Sequence, residues 1–254
     1  MTSSLHVVES GSPSGPAVVL VHGAGLAGWV WQQVAEHLQG FHVLVPDLPA
    51  HGASPGPFAL DNAADRVAQA IGERVAHGPI HVVGHSLGGQ VALTLLARHP
   101  QLPATVVVSG SLTRPAAVAP LVPPLVKAYW PLRQNPGLIR LTMKSQGIPE
   151  EFFDRFSTAI AEMDREELIQ VLTAALTFSP PPELGKVSTP VLVLAGEREP
   201  RLVHRSMADL VALLPAVAAR RIPGGDHGWP LSQPQLFAQI LEEWTQSPKT
   251  CAKR

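Results

Sequence analysis

The sequence predicts an α/β fold, a doubly wound and mostly parallel sheet interrupted by one helical insertion. Three observations predict it. Short runs are almost wholly apolar and β-rich, these runs alternate with stretches of helical length, and the alternation stops once, between about residues 113 and 186.

The β-rich runs are 17–21 (AVVLV), 41–45 (FHVLV), 80–83 (IHVV), 104–109 (ATVVVS), 190–195 (PVLVLA) and 217–222 (VAARRI). Strands covered by helices on both faces lose the polar–apolar alternation, because neither face meets water. Between them, 29–38, 60–76, 87–98, 202–213 and 233–244 have helical length and apolar spacing. The interruption contains PLVPPLVKAYWPLRQNPGL and then EEFFDRFSTAIAEMDREELIQVLTAAL, which suggest short helices with no strand between them. The expected organisation is a core of residues 1–112 and 186–254 and a helical cap of residues 113–185. Charge divides that cap. Residues 113–149 carry five bases (Arg114, Lys127, Arg133, Arg140, Lys144) and no acid, whereas 150–167 carry seven acids and two bases. Two readings stand open, a cationic rim for an acidic substrate or charges that pair with one another and with water.

Length and composition set bounds. The 254 residues suit one or two domains with a sizeable core. With 19 Lys plus Arg against 20 Asp plus Glu, the chain has no overall attraction to phosphate backbones or anionic lipid, so neither nucleic acid nor a membrane is expected as a partner. A single cysteine, Cys251, excludes an intrachain disulfide framework and a multi-cysteine metal cluster, and fits a reducing compartment. The opening MTSSLHVVES lacks the cationic and apolar regions of a secretory signal, and no run approaches the roughly 20 apolar residues that span a bilayer, so the expected location is cytoplasmic. The closing CAKR is no prenylation signal, with Lys253 in a normally aliphatic place, and reads as a frayed basic tail. The 26 prolines, about twice the usual share, stiffen turns without forming a low-complexity block.

The chemistry concentrates where predicted strands end. Gly84-His85-Ser86-Leu87-Gly88 follows the run 80–83 and opens the helix 87–98, which places G-x-S-x-G at a strand-to-helix turn. Such a turn lifts the serine hydroxyl clear of the backbone, and a Cβ at the flanking glycines would strike neighbouring chain. The helix beginning at Leu87 aims its free N–H groups and positive dipole end toward the serine, which favours an oxyanion there. The pattern alone recurs by chance; its context discriminates, including a second loop, His22-Gly23-Ala24-Gly25, directly after the run 17–21.

These segments resemble the α/β-hydrolase superfamily, and the resemblance runs nearly end to end: HGAG at 22–25, PDLPAHGAS at 46–54, GHSLGG at 84–89, LVLAGEREP at 192–200 and PGGDHGWP at 223–230. It implies the α/β-hydrolase fold, Ser86 as nucleophile, the backbone N–H groups of Leu87 and Ala24 as the oxyanion hole, and the insertion as a cap that shapes the pocket. A serine hydroxyl needs a general base. Of the late histidines, His227 lies in a Gly-rich loop after the terminal strand, as the family's order of Ser, acid and His requires, while His204 reads as a solvated helix residue. The family places its acid after the strand 190–195 in G-x-x-D; here the stretch is Gly196-Glu197-Arg198-Glu199, so Glu199 replaces the aspartate and Glu197 is the alternative. The other family location, after 104–109, offers SGSLT and no carboxylate.

Asp47, His51 and Ser54 match a family loop whose role is mostly structural, and His22 is expected to tie down its own loop. His85, Trp29, Leu112, Trp130 and Trp229 are candidates for the walls of a substrate pocket, with plain core packing as the competing reading. Neither H-E-x-x-H nor a tight histidine cluster is present, and no glycine loop fits a nucleotide, so no metal and no cofactor are expected. The leading reading is a cofactor-independent serine hydrolase cleaving a small or medium carboxylic ester through an acyl-enzyme, with a small-molecule ester-like substrate and its oligomeric state open. The same scaffold also resembles lyases, carbon–carbon bond hydrolases, thioesterases and perhydrolases, which is the alternative reading, and a non-catalytic ligand-binding member is the reading from outside enzymology.

Overall fold

The computed structural model describes residues 4–252. In chain order its elements are β1 (Val7–Gly11), β2 (Ala17–Val21), α1 (Gln32–Glu36), β3 (His42–Pro46), α2 (Leu60–Arg74), β4 (Ile80–His85), α3 (Leu87–Arg98), β5 (Thr105–Ser109), α4 (Val122–Tyr129), α5 (Pro136–Gln146), α6 (Phe153–Glu162), α7 (Arg165–Thr177), β6 (Val191–Gly196), α8 (Arg201–Leu213), β7 (Ala216–Ile222), α9 (Trp229–Ser232), α10 (Pro234–Gln246) and β8 (Cys251–Ala252). One sheet has the order β1-β3-β2-β4-β5-β6-β7-β8. Its six inner strands are parallel, and β1 and β8 close the edges antiparallel to β3 and β7.

The all-apolar strands sort their side chains by period two onto opposite faces. In β2, Val19 and Val21 enter a cluster with α2, α3 and α8, while Val18 and Leu20 enter a second with α1 and α10. β3 and β6 divide the same way, Leu44 and Val193 against Val43 and Leu192. Each face of the sheet therefore has its own core.

Both edge strands differ from the sequence expectation. VVESG in β1 has one strand neighbour and four of its five residues exposed, so it lacks the apolar run that marks the inner strands. The segment read as a frayed tail is instead paired, Cys251 with Val217 and Ala252 with Ala216; Lys253, Arg254 and residues 1–3 fall outside the described residues. The helix expected over 29–38 is a 3-10 turn, Gly28–Trp31, followed by the five-residue α1. Among the described residues no helix is long and apolar enough to cross a membrane.

Among the described residues every regular element between β5 and β6 is helical. The base of this insertion is tied to the core: Gln90 Nε2 on α3 donates to the carbonyls of Leu112 (3.0 Å) and Ala175 (2.8 Å), and the Thr113 N–H donates to Ser206 Oγ (3.0 Å). Arg114 pairs with Asp209 on α8, which holds the Asp209 carboxyl below the usual carboxylate range. Arg140 pairs with Glu150, so the two charged halves neutralise each other at that point.

Candidate active site

Ser86 sits at the turn from β4 into α3 with φ 56° and ψ −119°, a conformation that L-residues adopt only when surrounding structure enforces it. The enforcement is visible. The Ser86 N–H donates to the Ser109 carbonyl (2.7 Å), and the Ser86 carbonyl accepts from Ser111 Oγ (2.7 Å) and the Gly89 N–H (3.1 Å). A Cβ on Gly84 would lie 2.1 Å from the Gly88 carbonyl oxygen, and one on Gly88 would lie 2.1 Å from that of Val21. Only hydrogen fits at either position, as the sequence reading anticipated. Ser109 and Ser111 were not foreseen as supports for the turn, because their role depends on β5 lying beside β4.

Glu199 and His227 come together from loops after β6 and β7. His227 Nδ1 lies 3.3 Å from Glu199 Oε2, and the Glu199 side chain is fully inaccessible while that of His227 is 27% exposed. The second carboxylate oxygen of Glu199 accepts the Gly196 N–H at 3.2 Å. Burial of a carboxylate is costly unless its lone pairs are occupied, and here both oxygens have donors. Glu197 points elsewhere, accepting the Gly224 N–H at 2.8 Å in an exposed position. Geometry thus separates the two glutamates that spacing left open. Gly110, with φ 62°, lies against the pair, and a Cβ there would come within 3.1 Å of Glu199 Oε1 and His227 Nδ1.

The His227 ring packs against the ring of His85, the neighbour of Ser86, with centroids 4.7 Å apart. Among the described residues no hydrogen bond joins Ser86 Oγ to His227, a separation usual in unliganded sites, where catalytic bonds tighten on substrate. His85 Nδ1 lies 3.4 Å from Ser109 Oγ. Burial holds the His85 pKa well below the ordinary value, and the nearby His227 depresses it further, so this ring stays neutral.

The HGAG loop is held over the elbow by two buried histidines. His22 Nδ1 donates to the Gly23 carbonyl (2.8 Å) and its Nε2 accepts the Leu48 N–H (2.9 Å); His51 Nε2 accepts the Gly25 N–H (3.2 Å). Accepting through a ring nitrogen requires neutral imidazole, and burial lowers both, His51 to about 3. Asp47 accepts from the N–H groups of Gly28 (2.7 Å) and Ala53 (3.0 Å), and Ser54 Oγ accepts the His6 N–H (2.9 Å). These side chains build loops, in keeping with the structural part expected of them. A Cβ on Gly23 would lie 3.3 Å from the Ser86 Cβ, so the loop passes directly over the serine. Among the described residues neither the Ala24 nor the Leu87 N–H has an acceptor, which leaves both available to a bound oxyanion.

The five residues considered as pocket walls are dispersed. Trp229 is completely buried beside Phe237 (5.1 Å), and Trp130 packs on the small cluster of Val122, Val126, Met163 and Leu168 under Arg133. Leu112 is half-buried against the α2/α3/α8 core. Trp29 lines a cleft of about 830 Å³ with Gly28, Asp47, Gly52, Arg155 and Glu162; Ser86, Glu199 and His227 do not line it. Of the five, His85 is the one whose ring stacks on that of His227 among the described residues. Among the described residues no group of three His, Cys, Asp or Glu side chains is placed to hold a metal.

A strained serine between β4 and α3, a carboxylate after β6 and a histidine after β7 are the layout of one class of α/β protein, and the sequence matches that class directly. The alpha/beta hydrolase family profile matches residues 18–240, and the chain belongs to that family. It is 28% identical over 257 residues to an AB hydrolase superfamily protein of Gibberella zeae, covering 96% of this chain and 85% of that one. It is 29% identical over 259 residues to the pimeloyl-[acyl-carrier protein] methyl ester esterase of Methylococcus capsulatus, covering 93% and 97%. In fold it is similar to a thermophilic esterase from Thermogutta terrifontis, with TM-score 0.79 and 24% identity over 95% of this chain and 93% of that one.

Proposed function

We propose that this chain is a cofactor-independent serine hydrolase that cleaves a small or medium carboxylic ester through an acyl-enzyme. Ser86 Oγ attacks the carbonyl carbon while His227 Nε2 takes its proton, and the tetrahedral oxyanion sits between the Ala24 and Leu87 N–H groups. Collapse expels the alcohol, which leaves with the proton from His227. Water, deprotonated by the same histidine, then attacks the acyl-serine and releases the acid and free Ser86. Glu199 fixes the tautomer of His227 and stabilises its cation. The helices between β5 and β6 form the cap over this site, and the setting is cytoplasmic with no nucleic-acid partner.

One observation carries the reading: the wholly buried Glu199 carboxylate faces His227 Nδ1 at 3.3 Å. The relative from Methylococcus capsulatus, whose name is that of a methyl ester esterase, supports an ester as the substrate class. The test is labelling of the purified protein by a fluorophosphonate probe with peptide mapping, run beside turnover of small esters. Modification of Ser86, lost together with turnover in Ser86→Ala, is the expected result. Near-normal esterase activity in Ser86→Ala would overturn the assignment. Turnover of thioesters or of a carbon–carbon substrate, with esters untouched, would keep the triad and change the reaction.

A further inference from the structure

His85 is buried and titratable, yet it has no part in the chemistry assigned to Ser86, His227 and Glu199. It is the last residue of β4, directly before Ser86, and only 4% exposed. Its backbone is fixed by pairing with Ser109 of β5, and its Nδ1 lies 3.4 Å from the Ser109 hydroxyl. Two rings flank it: Trp31 edge-on, with centroids 6.5 Å apart and planes at 90°, and His227, with centroids 4.7 Å apart and planes at 42°. The ring contacts form a circuit. Trp31 packs on Phe237 of α10 at 5.3 Å, Phe237 packs on Trp229 of α9 at 5.1 Å, and Trp229 follows His227 by two residues in the chain. Trp31, Phe237 and Trp229 are all but inaccessible. The rings therefore run from the imidazole of His227 back to the backbone that carries it, and His85 is the link on which the imidazole rests.

Glu199 by itself holds that imidazole loosely. One carboxylate oxygen faces Nδ1 at 3.3 Å, longer than the roughly 2.7–2.9 Å of a strong charge-assisted bond. The χ2 wells of histidine are broad, so a single contact at one ring nitrogen leaves the tilt of the ring unset. A second ring against its face sets it. Among the described residues, the titratable side chains with an ion pair, hydrogen bond or ring contact to His227 are Glu199 and His85, while Asp226, its neighbour in the loop, turns to Gly147 at the end of α5.

We infer that His85 is a positioning residue whose ring, fixed to the sheet, sets the tilt of the His227 imidazole toward Ser86. Misplacement of a reacting group by about 1 Å costs on the order of a hundredfold in rate, so a ring that fixes the base has a measurable effect without touching substrate. Its burial serves the same end. A second cation stacked on His227 would oppose transfer of the serine proton to that ring, and burial keeps His85 neutral while His227 charges. The inference rests on His227 being the base of Ser86.

The test is turnover of p-nitrophenyl acetate, with the rate of Ser86 modification by a fluorophosphonate as a second readout. His85→Ala and His85→Gln should each lower kcat and the labelling rate at least about tenfold while KM stays within about twofold, and His85→Phe, which keeps a ring, should restore both rates to within about threefold of the parent. Glutamine keeps a partner for the Ser109 hydroxyl, so its loss of rate reads the ring and not the hydrogen bond. The acid limb of kcat/KM should stay at the parent's position in His85→Phe, because His85 is neutral there. Parent rates in His85→Ala or His85→Gln, with His227→Ala inactive, overturn this inference alone; an active His227→Ala overturns the proposed triad beneath it. A His85→Phe variant as slow as His85→Ala removes the ring face as the cause and overturns the inference. Loss of the acid limb in His85→Phe would make His85 the titrating base, which overturns it as well.

Discussion

The two halves of the insertion are attached to the core in different ways. α5 and α6 bury Ile139, Met143, Phe156 and Ile160 in the cluster that contains α10 and Trp229. α4 buries Val122 and Val126 only against other parts of the insertion and leaves its leucines outside. The anchored half is also the half that meets the candidate site. Gly147 ends α5 in the left-handed region (φ 70°), and a Cβ there would lie 2.4 Å from Asp226 Oδ1; one on Gly228 would lie 2.1 Å from the Gly147 carbonyl oxygen. His227, between Asp226 and Gly228, thus has its backbone pressed against α5. The difference teaches that an insertion continuous in sequence need not move as one body. A displacement of α5 would press on the backbone that carries His227, whereas α4 packs on other parts of the insertion.

The strongest way to break this comparison is through packing. Met143→Ala, at a site only 1% exposed, should destabilise the whole protein by about 2–5 kcal/mol, whereas Val126→Ala should cost no more than about 1–2 kcal/mol. Equal losses in urea unfolding would show both halves equally anchored. Next in size is the glycine seat. Gly228→Ala should lower kcat on a soluble ester about a hundredfold, about 2.7 kcal/mol, by displacing His227, with the fold retained by circular dichroism. Full activity would separate α5 from the chemistry.

Acid separates the insertion from the core, because all eleven histidines lie outside residues 113–185. Burial holds His51 down to about 3 and His81 to about 4. Between about pH 6.5 and those values the unfolded chain takes up protons that the folded chain refuses, so stability falls as pH drops. The loss should reach about 1.4 kcal/mol per pH unit for each such group and vanish above about pH 6.5. Urea midpoints measured from pH 7.5 to 4.5 check this, and His81→Gln should flatten the slope by one group. The smallest effect is expected outside: Leu125→Ser should shift stability by less than about 0.5 kcal/mol and leave turnover of a soluble ester unchanged. A large shift would mean that the outer face is packed in solution.

The inner strands were legible because burial on both faces leaves an unbroken apolar run, as in AVVLV of β2. β1 and β8 were not, since an edge strand such as VVESG is identified by its neighbour and not by its own pattern. Ser86 was legible from two glycines whose hydrogens are a steric requirement of the turn. Trp29, Trp130 and Trp229 show the opposite case. A tryptophan suits a pocket wall, a satellite cluster or a core equally well, and only the packing around each decided among them.

The sequence by itself determined the parallel α/β sheet, the strained serine turn and a histidine in a glycine-rich loop, because each depends on local sterics or on periodic burial written along a few residues. Tertiary structure alone decided that Glu199 and not Glu197 faces His227, that Gly147 and Gly228 join the insertion to the histidine loop, and that α4 carries an uncovered apolar face. Those outcomes depend on distances between segments far apart in the chain, and such distances are set by packing, which no local pattern encodes.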